Sequence, residues 1–201
     1  MLEKKAITSV KIDELLAERW SPRAFDKTKA VSEEKILSLC EAARWAPSCF
    51  NDQPYVIMIW NQNDDLESWQ NAYECLSKPN QEWVKNAPLL ITALASDKFR
   101  HDGSANRWGQ YDTGAAMENI CLQAVSLGLV AHQMGGFNAD KLKVDFNIPD
   151  EFTPMSMTAI GYQADEKILS DKLKEREKAD RYRRELGITF FRNKWKIKII
   201  D

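Results

Sequence analysis

The sequence of 201 residues lacks the features that mark membrane, disulfide-rich and metal-centred proteins. It has no apolar run of about 18 residues, and its N-terminus has no stretch typical of a signal peptide, so we expect a cytoplasmic protein. Its four cysteines include no C-x-x-C pair, and its two histidines, His101 and His132, are far apart. This pattern disfavours both a disulfide scaffold and a structural metal site.

The chain also lacks a large excess of charge of either sign. Lys and Arg total 28 against 30 Asp and Glu, which leaves a net charge of −2. No overall field therefore favours nucleic acid or an anionic membrane as a partner. With 44% hydrophobic and 29% charged residues, the composition is typical of a globular protein, and we assign residues 1–201 to a single domain.

Hydrophobic periodicity predicts helices and strands in mixed order. Helical patterns cover residues 11–19, 33–46, 64–77, 79–86, 112–127 and 139–146, and apolar strand patterns cover residues 55–60, 88–95, 129–134 and 155–162. Ser32 and Asn138 are candidate caps of the second and the last of these helices. The order of elements predicts a mixed α/β or α+β domain.

The C-terminal part of the chain, residues 163–201, is predicted to be an arm. Residues 163–187 are highly charged and have little apolar periodicity. Beyond them, Trp195, Ile197 and Ile199 alternate with lysines, which predicts a strand over residues 188–200. Such a strand should pair with something distant, and a second subunit is one candidate.

Two segments near the N-terminus could bind a ligand. Residues 19–23 (Arg-Trp-Ser-Pro-Arg) place two guanidinium groups and a hydroxyl close together, a set that suits phosphate oxygens. Residues 47–54 (Pro-Ser-Cys-Phe-Asn-Asp-Gln-Pro) hold polar side chains between two stiffening prolines. Solvated arginines and an ordinary polar loop explain each segment about equally well.

Two later segments add weaker signals. Residues 133–137 (Gln-Met-Gly-Gly-Phe) contain two glycines that let a backbone approach a flat ligand, without the spacing of a G-x-G-x-x-G or P-loop motif. Arg181, Arg183 and Arg184 could complete an anion site or form an ordinary charged surface. Taken together, the four segments favour a phosphorylated, planar cofactor, and flavin mononucleotide (FMN) fits best.

These segments resemble the nitroreductase family of FMN-dependent oxidoreductases. Residues 19–26 resemble its opening Arg-x-Ser-x-Arg-x-Phe segment, and residues 42–55 resemble its Ala-Pro-Ser-x-x-Asn-x-Gln-Pro-aromatic signature. Residues 112–129 resemble its central helix, and the glycine turn and residues 160–162 follow in the same order. The likeness covers residues 11–192.

The resemblance implies an α+β fold with a central, mostly antiparallel sheet flanked by helices and a C-terminal strand extension exchanged between the subunits of a homodimer. It also implies an FMN site at the dimer interface. Carried over by position, the FMN-binding residues are Arg19, Trp20, Ser21, Arg23, Pro47, Ser48, Cys49, Asn51, Asn80, Gln133, Met134, Gly135, Gly136, Arg181 and Arg183.

The resemblance divides these residues between two subunits and several parts of the cofactor. One subunit would supply residues 19–23, with Arg19 near the phosphate and Arg23 near the pyrimidine edge, and the other would supply residues 47–51. Gly135 and Gly136 would lie near N5, and Asn80 near the pyrimidine edge.

The activity implied is transfer of hydride from NADH or NADPH through flavin N5 to a nitroaromatic, a quinone or a similar small acceptor, with no catalytic side chain and no metal. Two alternatives are an enone reductase or dehydrogenase of the same family, and an FMN-binding protein for sensing or storage. Trp20 departs from the family because a basic residue is common there. Cys49 and Phe50 replace smaller or more polar residues.

Overall fold

The computed structural model describes residues 2–200, which form eight α-helices and four strands. The helices are α1 (Glu14–Glu18), α2 (Glu33–Arg44), α3 (Leu66–Glu74), α4 (Lys78–Val84), α5 (Gly109–Ser126), α6 (Ala139–Asp145), α7 (Asp171–Lys178) and α8 (Leu186–Thr189). The strands are β1 (Tyr55–Asn61), β2 (Leu89–Ser96), β3 (Val130–Met134) and β4 (Phe152–Gly161).

The four strands form one sheet in the order β1-β2-β4-β3, and every neighbouring pair is antiparallel. The central strand β2 is buried along almost its whole length, because helices cover both faces of the sheet. Its side chains alternate between the two faces: Leu90 belongs to one core, and Leu89 and Ile91 belong to the other. The predicted α+β fold with an antiparallel sheet is confirmed.

The two cores use different helices. One contains Trp69 of α3 and Trp83 of α4, together with Leu173 of α7. The other contains Leu39 of α2 and Ile120 of α5. The sheet is therefore packed between two helical layers, and the arm contributes to the first core through α7.

Within residues 11–162, the predicted helices and strands agree with the structure in order, and their ends differ by a few residues. Asn138 caps α6, because its side chain accepts the Lys141 N–H. Ser32 occupies the cap position of α2 without a side-chain hydrogen bond. Helix α1 is shorter than predicted, and its apolar residues Leu15 and Leu16 are exposed in the single chain.

The predicted strand over residues 188–200 is wrong for the single chain. Helix α8 occupies its start, and the rest folds back on itself, with one bridge between Phe191 and Lys198. Asn193 and Lys196 have positive φ values of 64° and 66°, which turn the backbone out of the extended conformation. An alternating sequence needs a neighbouring strand, and none of the residues 2–187 provides one.

The arm also contains a helix, α7, that the periodicity did not predict. Its buried residues are Leu173 and Glu177, so a carboxylate occupies the second position of the inward face. With a single apolar residue on that face, the helix has almost no hydrophobic pattern. Across residues 2–200, no helix has both the length and the apolar character needed to cross a membrane.

Gly109, at the start of α5, lies directly against the backbone at the end of β2. A Cβ atom built on Gly109 would lie 2.0 Å from the Ser96 carbonyl oxygen at the end of β2. We therefore expect Gly109→Ala to lower the free energy of unfolding by about 1–3 kcal/mol, measured by urea denaturation.

Gly114→Ala in the same helix is the matched control, because a Cβ there meets nothing within 4 Å of the single chain. It should leave stability unchanged or raise it by about 0.5–1 kcal/mol. Equal stability of the Gly109→Ala variant and the wild type would contradict the close contact.

Candidate functional site

A cavity of about 240 Å³ lies where the N-terminal segment meets the C-terminal arm. We call it the anion cavity. It is lined by Lys4, Arg19, Trp20, Ser21, Arg23, Arg176, Ala179, Asp180, Arg181 and Arg183. Six of these side chains are cationic and one is acidic, in a chain whose net charge is −2. The cavity is thus a local concentration of positive charge, which favours an anionic ligand.

Residues 19–23 form one wall of the cavity. Arg19 follows α1, and its backbone N–H donates to the Leu15 carbonyl at 3.1 Å. Its guanidinium Nε lies 3.5 Å from Glu118 Oε1 of α5, a partly exposed contact of small energetic value. The Arg19 guanidinium therefore keeps donors available for a ligand.

Arg181 fixes the arm to this wall. Its guanidinium donates to the carbonyl oxygens of Lys4, Ala17 and Arg19. Burial, together with the positive charges of Arg19 and Arg183, lowers the pKa of Arg181 below its ordinary value. Three of its N–H groups are used within the protein, so Arg181 has a structural role in the cavity wall in addition to its charge.

Glu177 fixes the same wall from behind. Its side chain is fully buried, and Oε1 accepts the backbone N–H groups of Arg23 at 2.8 Å and Ala24 at 3.2 Å. The second oxygen, Oε2, lies 3.6 Å from Arg23 Nη1. One carboxylate thus accepts a hydrogen bond from the backbone of Arg23 and lies within ion-pair distance of its guanidinium.

His132 of β3 holds the segment from the sheet side. Its Nδ1 lies 2.9 Å from the Pro22 carbonyl oxygen and therefore carries the proton, and its ring packs on Trp83 with 4.5 Å between centroids. Burial lowers the pKa of His132 from 6.5 to about 4, so the ring is neutral near pH 7.

The glycine turn follows β3. The Gly136 carbonyl accepts the Ser77 N–H at 2.9 Å and the Asn80 side-chain amide at 3.0 Å. A Cβ on Gly136 would lie 2.8 Å from that amide nitrogen, so a larger residue there would displace the Asn80 side chain. Asn80 and Gly136, predicted separately, are in contact.

The remaining predicted residues of this strand and turn point in different directions. Gln133 is exposed, and its amide donates to Cys121 Sγ at 3.4 Å. Met134 is buried in the core. Gly135 has open space at its Cβ position.

The loop over residues 47–54 lies outside the anion cavity of the same chain. Phe50, Asn51 and Gln53 all have positive φ values, between 51° and 54°, a costly conformation for residues other than glycine. Internal contacts hold it: the Cys49 N–H donates to buried Asp112, and the Gln53 N–H donates to Ser48 Oγ. A single chain therefore does not unite Pro47, Ser48, Cys49 and Asn51 with residues 19–23.

The four cysteines are free thiols. Cys75 and Cys121 are buried, and burial raises the pKa of each thiol to about 11. Cys40 is half-buried, and burial raises its pKa as well. Cys49 is half-buried in the loop over residues 47–54.

Sequence reasoning missed Glu177, His132 and Lys4. Glu177 stands four residues after Leu173 on the inward face of α7, and one apolar residue on that face is too weak a pattern to predict it. Nothing near His132 in the sequence indicates its contact with Pro22. Lys4 contacts the arm from the opposite end of the chain.

Comparison with known proteins agrees with this fold. The profile of the nitroreductase family matches residues 16–162. A crystal structure described as an oxidoreductase containing FMN is 35% identical, with a TM-score of 0.90 over 98% of this chain and 100% of that chain. An oxygen-insensitive NADPH nitroreductase of Helicobacter acinonychis is 26% identical over 69% of this chain and 80% of its own length.

A further relative, an uncharacterized 15.4 kDa protein of Mycolicibacterium smegmatis, is 30% identical over 60% of this chain and 80% of its own length. The fold and these matches define an oxidoreductase. The chain belongs to the nitroreductase family.

The buried His132 predicts a pH-dependent loss of stability. Its pKa is about 4 in the folded protein against 6.5 for the free group, so unfolding takes up a proton between these values. Stability from this group is present above about pH 6.5 and falls by at most about 3 kcal/mol as the pH drops toward 4. His132→Gln should flatten this part of the profile of unfolding free energy against pH.

His101→Gln is the control, since the His101 side chain is 55% exposed. Its profile should follow that of the wild type. An unchanged profile in His132→Gln would show that His132 is not a buried neutral group.

Proposed function

We propose that this chain is an FMN-dependent oxidoreductase that takes hydride from NADH or NADPH and passes it to a small acceptor such as a nitroaromatic or a quinone. The anion cavity carries the proposal, because six cationic side chains and one acidic one surround it. Family membership and the 35% identical FMN-containing oxidoreductase support the same cofactor.

The residues present fit the phosphate end of FMN. Guanidinium groups and the Ser21 hydroxyl are the donors that phosphate oxygens take. Arg19 and Arg183 are the candidates for direct contact, because Arg181 is largely occupied by carbonyl oxygens. A cavity of about 240 Å³ is smaller than the roughly 300–1,000 Å³ typical of ligand sites, so the rest of the cofactor needs further walls.

Bound FMN would supply a hydride acceptor at N5, with negative charge developing along its N1 and O2 edge. Arg23 lines the cavity and is held by Glu177, so its cation is placed in advance and can stabilise that charge. The Gly136 turn and Asn80 offer a backbone surface and an amide for the planar part of the ligand. No side chain is assigned as a nucleophile or as an essential acid or base.

We further propose a homodimer in which the loop over residues 47–51 of one subunit completes the anion cavity of the other. Three features support it: the loop lies outside the cavity of its own chain, the cavity is too small for the whole cofactor, and large apolar side chains are exposed. Exposed apolar residues concentrate in residues 186–200, which we call the tail: Leu186, Ile188, Phe190, Trp195, Ile197, Ile199 and Ile200.

A second copy offers a place for this tail. Strand β1 is an edge of the sheet, and an apolar groove of about 240 Å³ runs beside it, lined by residues that include Ile57, Ile59 and Leu39. An alternating segment that adds to a free edge strand would pair its backbone and bury its apolar side chains.

The activity is tested by anaerobic reduction of the purified protein. It should be yellow, bleach with NADH or NADPH, and recover its colour with a nitroaromatic or a quinone. Flavin that binds but that neither nicotinamide reduces would favour sensing or storage. A colourless protein that does not bind added FMN would refute the proposal.

Arg19→Ala should weaken FMN binding by roughly 10- to 150-fold, because it removes a charge-assisted hydrogen bond worth about 1.5–3 kcal/mol. Fluorescence titration of the cofactor-free protein measures this. Lys167→Ala is the control, since it removes a charge from an exposed pair with Asp165. The same FMN dissociation constant in Arg19→Ala and the wild type would show that Arg19 does not bind the phosphate.

Deletion of residues 186–201 should convert the dimer to a monomer. Among residues 2–200, the backbone N–H and carbonyl groups of residues 188–199 form hydrogen bonds only with residues 185–199. The deleted chain should therefore keep its circular dichroism spectrum while light scattering shows half the mass. Tight FMN binding by a full-length monomer would contradict the shared site.

A further inference from the structure

Glu177 is the most deeply buried acidic residue among residues 2–200. Asp52 and Asp112 are also buried, but they keep 8% and 4% of their surface exposed, and Glu177 keeps none. A buried carboxylate is costly unless it is paired and hydrogen-bonded. Glu177 belongs to the charged arm, where no catalytic or binding role has been assigned to it.

The contacts of Glu177 concentrate on Arg23. Oε1 accepts the N–H groups of Arg23 and Ala24, whereas Oε2 has no hydrogen-bond partner within the described residues and lies 3.6 Å from Arg23 Nη1. The carboxylate therefore fixes the backbone of Arg23 with one oxygen and opposes its charge with the other.

Attachment of the arm does not depend on this carboxylate alone. Lys4 Nζ donates to the backbone carbonyls of Glu177 and Ala179, and the Arg181 guanidinium donates to three carbonyls of the N-terminal segment. These contacts use backbone atoms of residue 177 or other residues. The arm is therefore attached without the Glu177 carboxylate, whose contacts are with Arg23 and Ala24.

The position behind the cavity wall also gives Glu177 an electrostatic role. The Arg23 side chain is 25% exposed and lines the cavity, whereas the Glu177 side chain is 1% exposed and is not part of the cavity lining. Solvent and salt screen such a buried pair weakly. The negative charge of Glu177 therefore limits how much of the Arg23 charge acts on a ligand in the cavity.

We propose that Glu177 is a positioning residue of the anion cavity: it fixes Arg23 in place and sets the effective charge that Arg23 presents to the bound cofactor. The effect on the charge presented to the cofactor rests on the proposed function. The fixing of the Arg23 backbone does not, so the two effects are tested separately.

The first experiment measures hydrogen exchange in the cofactor-free protein. In Glu177→Ala, the amides of Arg23 and Ala24 should exchange at least tenfold faster, with β2 and β4 unchanged. In Glu177→Gln they should stay close to wild type, because the amide keeps a carbonyl acceptor. Glu175→Gln, on the exposed face of α7, is the matched control. Unchanged exchange of both amides in Glu177→Ala would overturn the positioning role.

The second experiment measures the midpoint potential of bound FMN against a reference dye. Glu177→Gln should raise the affinity for reduced over oxidised FMN about tenfold, because the Arg23 charge is no longer opposed; this equals about 30 mV for two electrons. A purely structural role would not shift the potential in this direction. A potential equal to that of Glu175→Gln would overturn the electrostatic role.

The two experiments also separate the two hypotheses. A wild-type protein that binds no FMN refutes the proposed function, and the exchange of the Arg23 and Ala24 amides still decides whether Glu177 positions the segment. If the wild type binds FMN but exchange in Glu177→Ala and the potential in Glu177→Gln are unchanged, the proposed function stands and the positioning role of Glu177 is rejected. If Glu177→Ala does not fold, amide exchange in Glu177→Leu decides the positioning role, because leucine fills the buried space without an acceptor, and the potential of Glu177→Gln still decides the electrostatic role.

Discussion

The anion cavity depends on the docking of the C-terminal arm against residues 19–23, where the Glu177 carboxylate contacts the backbone of Arg23 and Lys4 and Arg181 add further contacts. Residues 154 positions apart meet there, and the cavity lies between them. Without a docked arm, residues 19–23 would form one wall facing solvent. Because the carboxylate is fully buried, its negative charge requires a nearby positive charge, and Arg23 is the ion-pair partner that supplies it.

The sheet supplies the rest of the site's rigidity. Strand β3 holds Pro22 through His132 and then leads into the glycine turn, where Asn80 contacts Gly136. His132 and Gly135 are three residues apart, roughly 10 Å along a strand. One strand therefore links the contact with Pro22 to the glycine turn.

The sequence predicted the fold well where each element buries its own apolar face. Helices such as α2 and strands such as β2 have strong periodicity, and both lie where expected. The failures have separate causes. Helix α7 buries a carboxylate on its inward face and so lacks an apolar pattern, and the alternating part of the tail, residues 188–200, leaves its apolar residues exposed in the single chain. Residues 19–23 and Arg181 were proposed from their side-chain chemistry and then from the family resemblance, whereas Glu177 and His132 act through contacts between segments far apart in the sequence.

The central claim is that Glu177 acts on the anion cavity through Arg23, and a double-mutant cycle tests it most directly. The cycle compares FMN dissociation constants of the wild type, Arg23→Ala, Glu177→Gln and the double variant. We expect the double variant to depart from the sum of the single changes by more than about 0.5 kcal/mol, as contacting residues do. Single changes that add within about 0.3 kcal/mol would contradict the account.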